Sequence, residues 1–294
     1  MTTGHPRNDS PPSAETPLLQ PWALRILLWL LERKLKRKVR SDKGIMRHTG
    51  RDLWAMLWVG EQAGVRFDYF RELLGRYPQG EDSSPRTLSE NATRQVIKRW
   101  CEQGYARFEP ILAREPGWLW LTKAGLHEAG LELTYYKPAA ARVGHLHLVN
   151  WTRLSLEEEE PDARWKSERM IRAEMEKSRK SRKQRHVPDA WFFRPGTTGA
   201  GKTPVKTVAI EVELTAKSRS ELFPILQSYS GLGVEVWYYG THKVETALRR
   251  DLALPALYDS RKQYRFLDFS EAWEYPPPLL YPGESFSRDR KSVV

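Results

Sequence analysis

The sequence predicts an α+β fold of two domains, and two patterns support that prediction. In the first half, three stretches with helical spacing of apolar residues precede two strand-like runs. In the second half, runs rich in β-branched residues alternate with helical stretches, as in an α/β domain. The length of 294 residues is sufficient for two domains with separate cores. We expect a disordered tail over residues 1–20, a first domain over 21–137, a second domain over 138–275 and a disordered tail over 276–294.

The charge balance indicates a polyanionic partner. The formal net charge is +11 and the pI is about 9.7, which favours nucleic acid before membrane. The apolar run Ile26–Leu31 is far shorter than the roughly 20 residues of a membrane span, so we expect no membrane span there. The stretch Pro21–Arg40 is instead predicted to be a helix that packs by one face, with a lesser alternative in which it lies on an anionic membrane. The single cysteine, Cys101, excludes an internal disulfide and a multi-cysteine zinc site, and with no targeting signal it predicts a cytoplasmic protein.

The first domain has the element order of a winged helix. Helical spacing is found in RDLWAMLWVGEQAG, RFDYFRELLG and SENATRQVIKRWCEQGYA, the last of which Ser89 can cap, and ARFEPIL and GWLWLT are strand-like. In such a domain the third helix enters the major groove of DNA and the two-stranded ribbon contacts the backbone. The predicted DNA-facing residues of the third helix are Arg94, Gln95, Lys98 and Arg99. The alternative is a protein-docking module whose charged helix is only solvated.

The stretch that joins the domains contains no strong metal motif. Residues 138–142, PAAAR, are a predicted hinge. The spacing of His145, His147 and Asn150 matches no metal-binding motif, which predicts packing or hydrogen-bonding side chains. The acidic run Glu157–Glu160 is predicted to be a solvated loop or the end of a helix.

A long helix is predicted over Ala163–Arg185, with a buried stripe formed by Trp165, Met170, Ile171 and Met175. Cations near its carboxyl end would suit the helix dipole as a solvated basic turn. They also precede the next strand, where a phosphodiester would have to enter. We favour this second role, in which the cations contact the phosphodiester. The residues concerned are Lys177, Arg179, Lys180, Arg182, Lys183 and Arg185.

The stretch His186–Ser218 carries the candidate chemistry. Two strands joined by a glycine-rich turn are predicted, with Asp189 on the first and Glu211 and Glu213 on the second. Alternation along a strand places Glu211 and Glu213 on the same face, and a suitable hairpin register brings Asp189 beside them, with Lys217 at the edge. Such a cluster needs a cation, and Mg²⁺ is the usual occupant of an all-oxygen carboxylate site. The alternative is an edge hairpin whose acids face solvent or pair with Arg and Lys.

The glycine-rich turn contains a rival motif. The residues Gly196–Thr203, GTTGAGKT, have the spacing of a nucleotide-binding phosphate loop. That motif requires a helix immediately afterwards, whereas the residues that follow here alternate like a strand. A hairpin loop is therefore the preferred prediction.

The ordered motifs of the chain resemble known families. An inward glutamate on a helix, Pro-Asp on a strand, a Glu-x-Glu strand and a following helix resemble the PD-(D/E)XK nuclease superfamily. With the winged helix, the set WLT, HLHLVN, WKSER, HVPDA, EVELTAKS and VWYYG resembles the actinobacterial replication-relaxation protein family, over roughly residues 53–250. The resemblance implies a DNA-associated protein of plasmids or integrating elements, with other plasmid replication or transfer proteins as further partners.

The resemblance also implies roles for individual residues. Asp189 matches the Pro-Asp aspartate and Glu211 the second acid, while Glu213 stands where the superfamily usually has lysine, so Lys217 would supply that cation from the end of the strand. Glu168 matches a helix glutamate that adds a metal ligand, and Gln227 a polar residue of the following helix. Mg²⁺ or Mn²⁺ held by Glu168, Asp189 and Glu211 would polarise a phosphodiester and activate water. Lys217 would orient that water, and Glu213 would act as ligand or general base.

Two functions follow from these observations. The first is a metal-dependent DNA endonuclease or nickase that acts in replication, relaxation or transfer. The alternative is a non-catalytic DNA-binding regulator or replication accessory that keeps the nuclease fold as a scaffold. The residue Glu213, in place of lysine, separates the two, because it removes the usual catalytic cation from the strand.

Overall fold

The computed structural model describes residues 48–77, 87–177, 186–195 and 206–268. The predicted tails, the helix over residues 21–40, the phosphate-loop-like residues 196–203 and the basic residues Arg179, Lys180, Arg182, Lys183 and Arg185 lie outside the described residues. The chain divides into two compact units, Met1–Gly50 and Arg51–Val294, and the second of these contains both sheets. The chain is thus a mixed α+β protein with two sheets in its described part.

The first sheet is built from the stretches predicted for the first domain. Its strands, in the spatial order β1-β3-β2, are antiparallel, and Val65 of β1 and Phe108 of β2 both pair with Leu119 of β3. The bounds are α1 Gly50–Gln62, β1 Val65–Arg66, α2 Phe67–Gly75, α3 Glu90–Glu102, β2 Ala106–Glu109, β3 Trp118–Leu121 and α4 Lys123–Glu128. The cap at Ser89 is confirmed, since its hydroxyl accepts a hydrogen bond from the N–H of Ala92 at 3.3 Å.

The second sheet has the spatial order β4-β5-β6-β7-β8. The pairs β4–β5 and β5–β6 are antiparallel, whereas β6–β7 and β7–β8 are parallel and are connected through helices. The bounds are α5 Ala140–Glu159, β4 Arg164–Ser167, α6 Glu168–Lys177, β5 Ala190–Arg194, β6 Lys206–Glu213, α7 Arg219–Ser230, β7 Glu235–Gly240, α8 His242–Leu252 and β8 Tyr264–Asp268. Two short 3₁₀ turns, Pro255–Leu257 and Asp259–Gln263, lead into β8.

Two predictions for the stretch between residues 138 and 185 differ from the structure. The long helix predicted over residues 163–185 is wrong at its start, because residues 164–167 form β4, and the helix begins only at Glu168. Trp165 buries its ring against Phe192 of β5, and this packing outweighs the helical spacing of the local sequence. The predicted hinge at 138–142 is also wrong in part, since α5 begins at Ala140 and continues for 20 residues without a break.

The two sheets are joined by buried polar side chains around α5. Asn150 of α5 accepts a hydrogen bond from the Gln62 amide at 3.2 Å and donates to the carbonyl of Gly64 at 2.9 Å. Gln62 in turn accepts from the Trp165 indole at 3.2 Å. His147 is stacked on Tyr69, with ring centroids 4.8 Å apart, and burial, followed by the charge of Arg66, lowers its pKa to about 2. The prediction that His147 and Asn150 pack or hydrogen-bond is confirmed.

Within the described ranges, no helix combines the length and the apolar composition needed to cross a membrane.

Gly125 offers a direct test of the packing between α4 and the turn before β2. A Cβ at Gly125 would lie 2.0 Å from the carbonyl oxygen of Tyr105, which is backbone and cannot move aside easily. We therefore expect Gly125→Ala to lower the free energy of unfolding, measured by urea denaturation, by about 1–3 kcal/mol. Gly231→Ala is the control, because a Cβ there meets nothing within 4 Å, and we expect a change below about 0.5 kcal/mol. Equal stabilities of the two variants would contradict this packing.

Candidate functional site

Asp189 lies immediately before β5, at the edge of the sheet where β6 and β7 end. The register of β5 with β6 pairs Ala190 with Ile210, so Asp189 lies opposite Glu211, as the hairpin prediction required. Its Oδ2 accepts a hydrogen bond from the backbone N–H of Val212 at 2.8 Å. Its carbonyl oxygen accepts another from the N–H of Glu168 at 2.7 Å. The carboxylate is therefore anchored to β6, and its backbone is anchored to the start of α6.

Glu211 is buried on the face of the sheet that α7 and α8 cover. Its neighbour at the same face, Ala209, belongs to the apolar cluster of those two helices, which agrees with the alternation predicted for β6. The Glu211 side chain accepts hydrogen bonds from the Tyr229 hydroxyl and from His186 Nε2, the latter at 2.6 Å. Burial raises the pKa of Glu211, and the hydrogen bond from His186 opposes that rise. Burial alone would lower the pKa of His186, but Glu211 outweighs it and raises that pKa.

Glu213 and Lys217 form an ion pair at the end of β6. Both side chains are partly buried, and the Lys217 ammonium contacts the Glu213 carboxylate four residues earlier in the chain. Lys217 was predicted to supply a cation from the end of the strand, and its ammonium lies on Glu213, the residue that stands in the usual lysine position.

His145 of α5 joins Asp189, Glu211 and His186 in one cluster, the carboxylate centre, although its sequence motif indicated no partner for it. Its Nε2 lies 3.2 Å from Oδ1 of Asp189 and 3.0 Å from the carbonyl oxygen of Val212. Burial alone would lower the pKa of His145, but the Asp189 carboxylate outweighs burial and raises the pKa to about 9. Burial would likewise raise the pKa of Asp189, but His145 and the Val212 N–H keep it below its ordinary value. At neutral pH the pair is therefore an imidazolium and a carboxylate.

Two further residues predicted for the site point elsewhere. The Glu168 carboxylate pairs with Arg172 at 2.6 Å on the surface of α6, although its charge contributes to the raised pKa of His145. Gln227 of α7 is exposed, and the residue of α7 that contacts the centre is Tyr229. The spacing of Leu222, Leu226 and Tyr229 along α7 could have identified Tyr229, because positions four and seven residues after the first share a helical face.

The residues of this centre do not fit a Mg²⁺ or Mn²⁺ ion as they stand. Among the residues that the structure describes, no group of three or more His, Cys, Asp or Glu side chains is arranged to hold a metal. Oδ1 of Asp189 and Oε1 of Glu211 both contact histidine nitrogens, and Glu213 contacts Lys217. The negative charges are thus compensated by side chains of the same chain.

The predicted DNA-facing residues of α3 separate into two sets. Arg94, Gln95 and Lys98 are exposed along one face of the helix. Arg99 instead contacts Asp52 of α1, a fully buried carboxylate that also accepts a hydrogen bond from the Trp100 indole at 3.1 Å. Arg99 therefore compensates a buried charge between α3 and α1, which leaves three side chains for a partner.

No family model, curated protein or solved structure matches the chain.

The raised pKa of His145 predicts a pH dependence of stability. The pKa of His145 is about 9 in the folded chain, above the ordinary value of 6.5. The ion pair therefore stabilises the folded state fully below pH 6.5, and this stabilisation is lost as the pH rises through about 9. About a third of the His145 side chain is exposed, so solvent screens the pair, and we expect a contribution of about 1 kcal/mol. Urea denaturation of the wild type and of His145→Gln should differ by this amount near pH 6 and converge near about pH 9.5. A difference that stays constant between those values would contradict the pairing.

Proposed function

We infer that this chain is a DNA-binding protein, with a winged helix as its DNA-contacting part and a nuclease-like domain as its body. The family resemblance suggests plasmids or integrating elements as its setting. In this account the carboxylate centre of the second sheet is compensated by its own histidines, and the protein acts as a DNA-binding regulator or replication accessory.

The single observation that carries this proposal is the exposed polar face of α3. Arg94, Gln95 and Lys98 follow one another at spacings that share a helical face, while Val96, Ile97 and Trp100 are buried on the opposite one. Arginine and glutamine reach base edges in the major groove, and lysine contacts phosphate. The net charge of +11 favours the same partner.

The cations of this face make surface ion pairs, and the Arg94 guanidinium also lies over the Phe67 ring, 4.9 Å from its centroid. Arg94 contacts Glu90 at 2.6 Å and Lys98 contacts Glu102 at 3.8 Å, and in both pairs each side chain is more than half exposed. Exposed pairs of this kind contribute about 0–1 kcal/mol, so exchanging them for phosphate contacts costs little. Arg99, by contrast, compensates the buried Asp52 and is not available for exchange.

The ribbon of the first sheet adds cations at the position where a winged helix contacts the DNA backbone. Arg107 of β2 is exposed, and Arg114 lies exposed in the turn between β2 and β3, with a φ of 66°. Both guanidinium groups are suited to phosphate, and they support a second contact region beside α3.

A metal-dependent DNA endonuclease or nickase is the second candidate. The observation that favours it is the register of the hairpin, which places Asp189 opposite Glu211 as the nuclease resemblance requires. The chain order α6, β5, β6, α7 and β7 is also the helix–strand–strand–helix–strand order that this resemblance implies. The contacts of the carboxylates with His145, His186 and Lys217 favour the non-catalytic account.

We predict that the exposed face of α3 determines DNA affinity. The variant Arg94→Ala/Lys98→Ala should bind duplex DNA about tenfold more weakly or worse, because two cationic contacts are lost. The slope of log K against log salt, measured by fluorescence anisotropy, should decrease in magnitude by about 1, because Lys98 is the phosphate contact of the two. Lys123→Ala is the matched control, since Lys123 is an exposed lysine of α4 outside this face. If Lys123→Ala loses as much DNA affinity as Arg94→Ala/Lys98→Ala, the assignment of this face is contradicted.

We also predict that the purified chain leaves supercoiled plasmid DNA intact in Mg²⁺ or Mn²⁺. The reason is that the Asp189 and Glu211 carboxylates are compensated by histidines. Agarose electrophoresis of wild type and Asp189→Asn tests this expectation. If the wild type nicks or cuts the plasmid and Asp189→Asn does not, the non-catalytic account is contradicted and the endonuclease is established. If Asp189→Asn nicks the plasmid as well, the activity comes from a contaminating nuclease.

A further inference from the structure

One imidazole nitrogen bridges two oxygen atoms at the candidate site, one from Asp189 just before β5 and one from Val212 of β6. His145 Nε2 lies 3.2 Å from Oδ1 of Asp189 and 3.0 Å from the carbonyl oxygen of Val212. The N–H of the same Val212 donates to the other carboxylate oxygen of Asp189 at 2.8 Å. Each of the three residues His145, Asp189 and Val212 therefore contacts the other two.

Two oxygen atoms that converge on one point are the donor arrangement of a hard divalent cation. Glu211, the residue before Val212, adds a carboxylate whose charge acts on that of Asp189. A bound Mg²⁺ would need oxygen ligands at about 2.0–2.1 Å. A ring nitrogen that already lies about 3 Å from both oxygen atoms leaves no room for such an ion between them.

A buried tyrosine hydroxyl beside Glu211 lacks a hydrogen-bond partner among the described residues. Tyr238 lies beside Glu211 in the register of β6 with β7, and its side chain is almost fully buried. Among the described residues its hydroxyl has no hydrogen-bond partner, whereas Tyr229 donates to Glu211. A buried hydroxyl without a hydrogen-bond partner is costly. A metal-bound water could supply the missing partner by donating a hydrogen bond to the Tyr238 oxygen.

We propose that His145 takes the place of a divalent cation in this centre. Its ring contacts the two oxygen atoms that would otherwise coordinate a metal, and it closes the centre to Mg²⁺ and Mn²⁺. The ring comes from α5, which belongs to neither strand of the hairpin, and about a third of the side chain is exposed. Its removal therefore opens the site to solvent rather than leaving a sealed cavity.

The test is titration of the folded full-length chain with Mn²⁺ alone at constant pH. We expect His145→Ala to bind Mn²⁺ at least tenfold more tightly than the wild type by isothermal titration calorimetry. At about a hundredfold excess over its Kd, Mn²⁺ should also raise the Tm of this variant by about 5 °C or more. The double variant His145→Ala/Asp189→Asn should not show this gain in Mn²⁺ affinity, because it lacks the Asp189 carboxylate. His242→Ala is the matched control, since His242 is an exposed histidine of α8 whose ring contacts Glu245, and it should bind like the wild type.

Two results would overturn the proposal. One is Mn²⁺ binding by the wild type that Asp189→Asn abolishes, since the centre would then be open with His145 present. The other is a folded His145→Ala that gains no affinity. If His145→Ala does not fold, His145→Gln retains an amide donor without the charge, and the same gain in Mn²⁺ affinity is expected of it. Neither measurement depends on DNA binding, so failure here is distinguishable from failure of the proposed function.

Discussion

The carboxylate of Asp189 holds the second sheet to the helices around it. Through the Val212 N–H at 2.8 Å it fastens the start of β5 to the end of β6, and through His145 at 3.2 Å it fastens both strands to α5. Its own carbonyl accepts from Glu168, where α6 begins. A buried carboxylate is costly unless several donors satisfy it, and here the backbone and an imidazolium do so together. The pairs His186–Glu211 and Lys217–Glu213 apply the same principle to the two neighbouring acids.

The helix α5 contributes to both halves of the chain. Near its amino end it supplies His145 to the carboxylate centre, and two and five residues later His147 and Asn150 pack against residues of the first half. Near its carboxyl end, Arg153 contacts Glu61 of α1 at 3.1 Å. The pair of Arg99 with the buried Asp52 then connects α1 with α3. A continuous series of packed and hydrogen-bonded residues therefore extends from the proposed DNA-contacting helix to Asp189.

The sequence was most informative where one local pattern determined one structure. The alternation in VAIEVEL predicted that Glu211 and Glu213 share a face, and Ser89 marked the start of α3. Residues 164–167 were predicted as helix because Trp165 continues the apolar spacing of α6, and only pairing with β5 makes them a strand. The partners of the buried charges are distant along the chain. His145 precedes Asp189 by 44 residues, and Asp52 precedes Arg99 by 47, so that no local pattern connects either pair.

Asp189 is compensated by a histidine that must be protonated to do so. Selective ¹⁵N labelling of the seven histidines, with His145→Gln to assign the His145 signals, gives the protonation state of each ring by NMR. At about pH 7.5, well above the ordinary histidine pKa, both ring nitrogens of His145 should show the shifts of an imidazolium in the wild type, and Asp189→Asn should return the ring to the neutral form. A neutral His145 ring in the wild type at that pH would contradict the account.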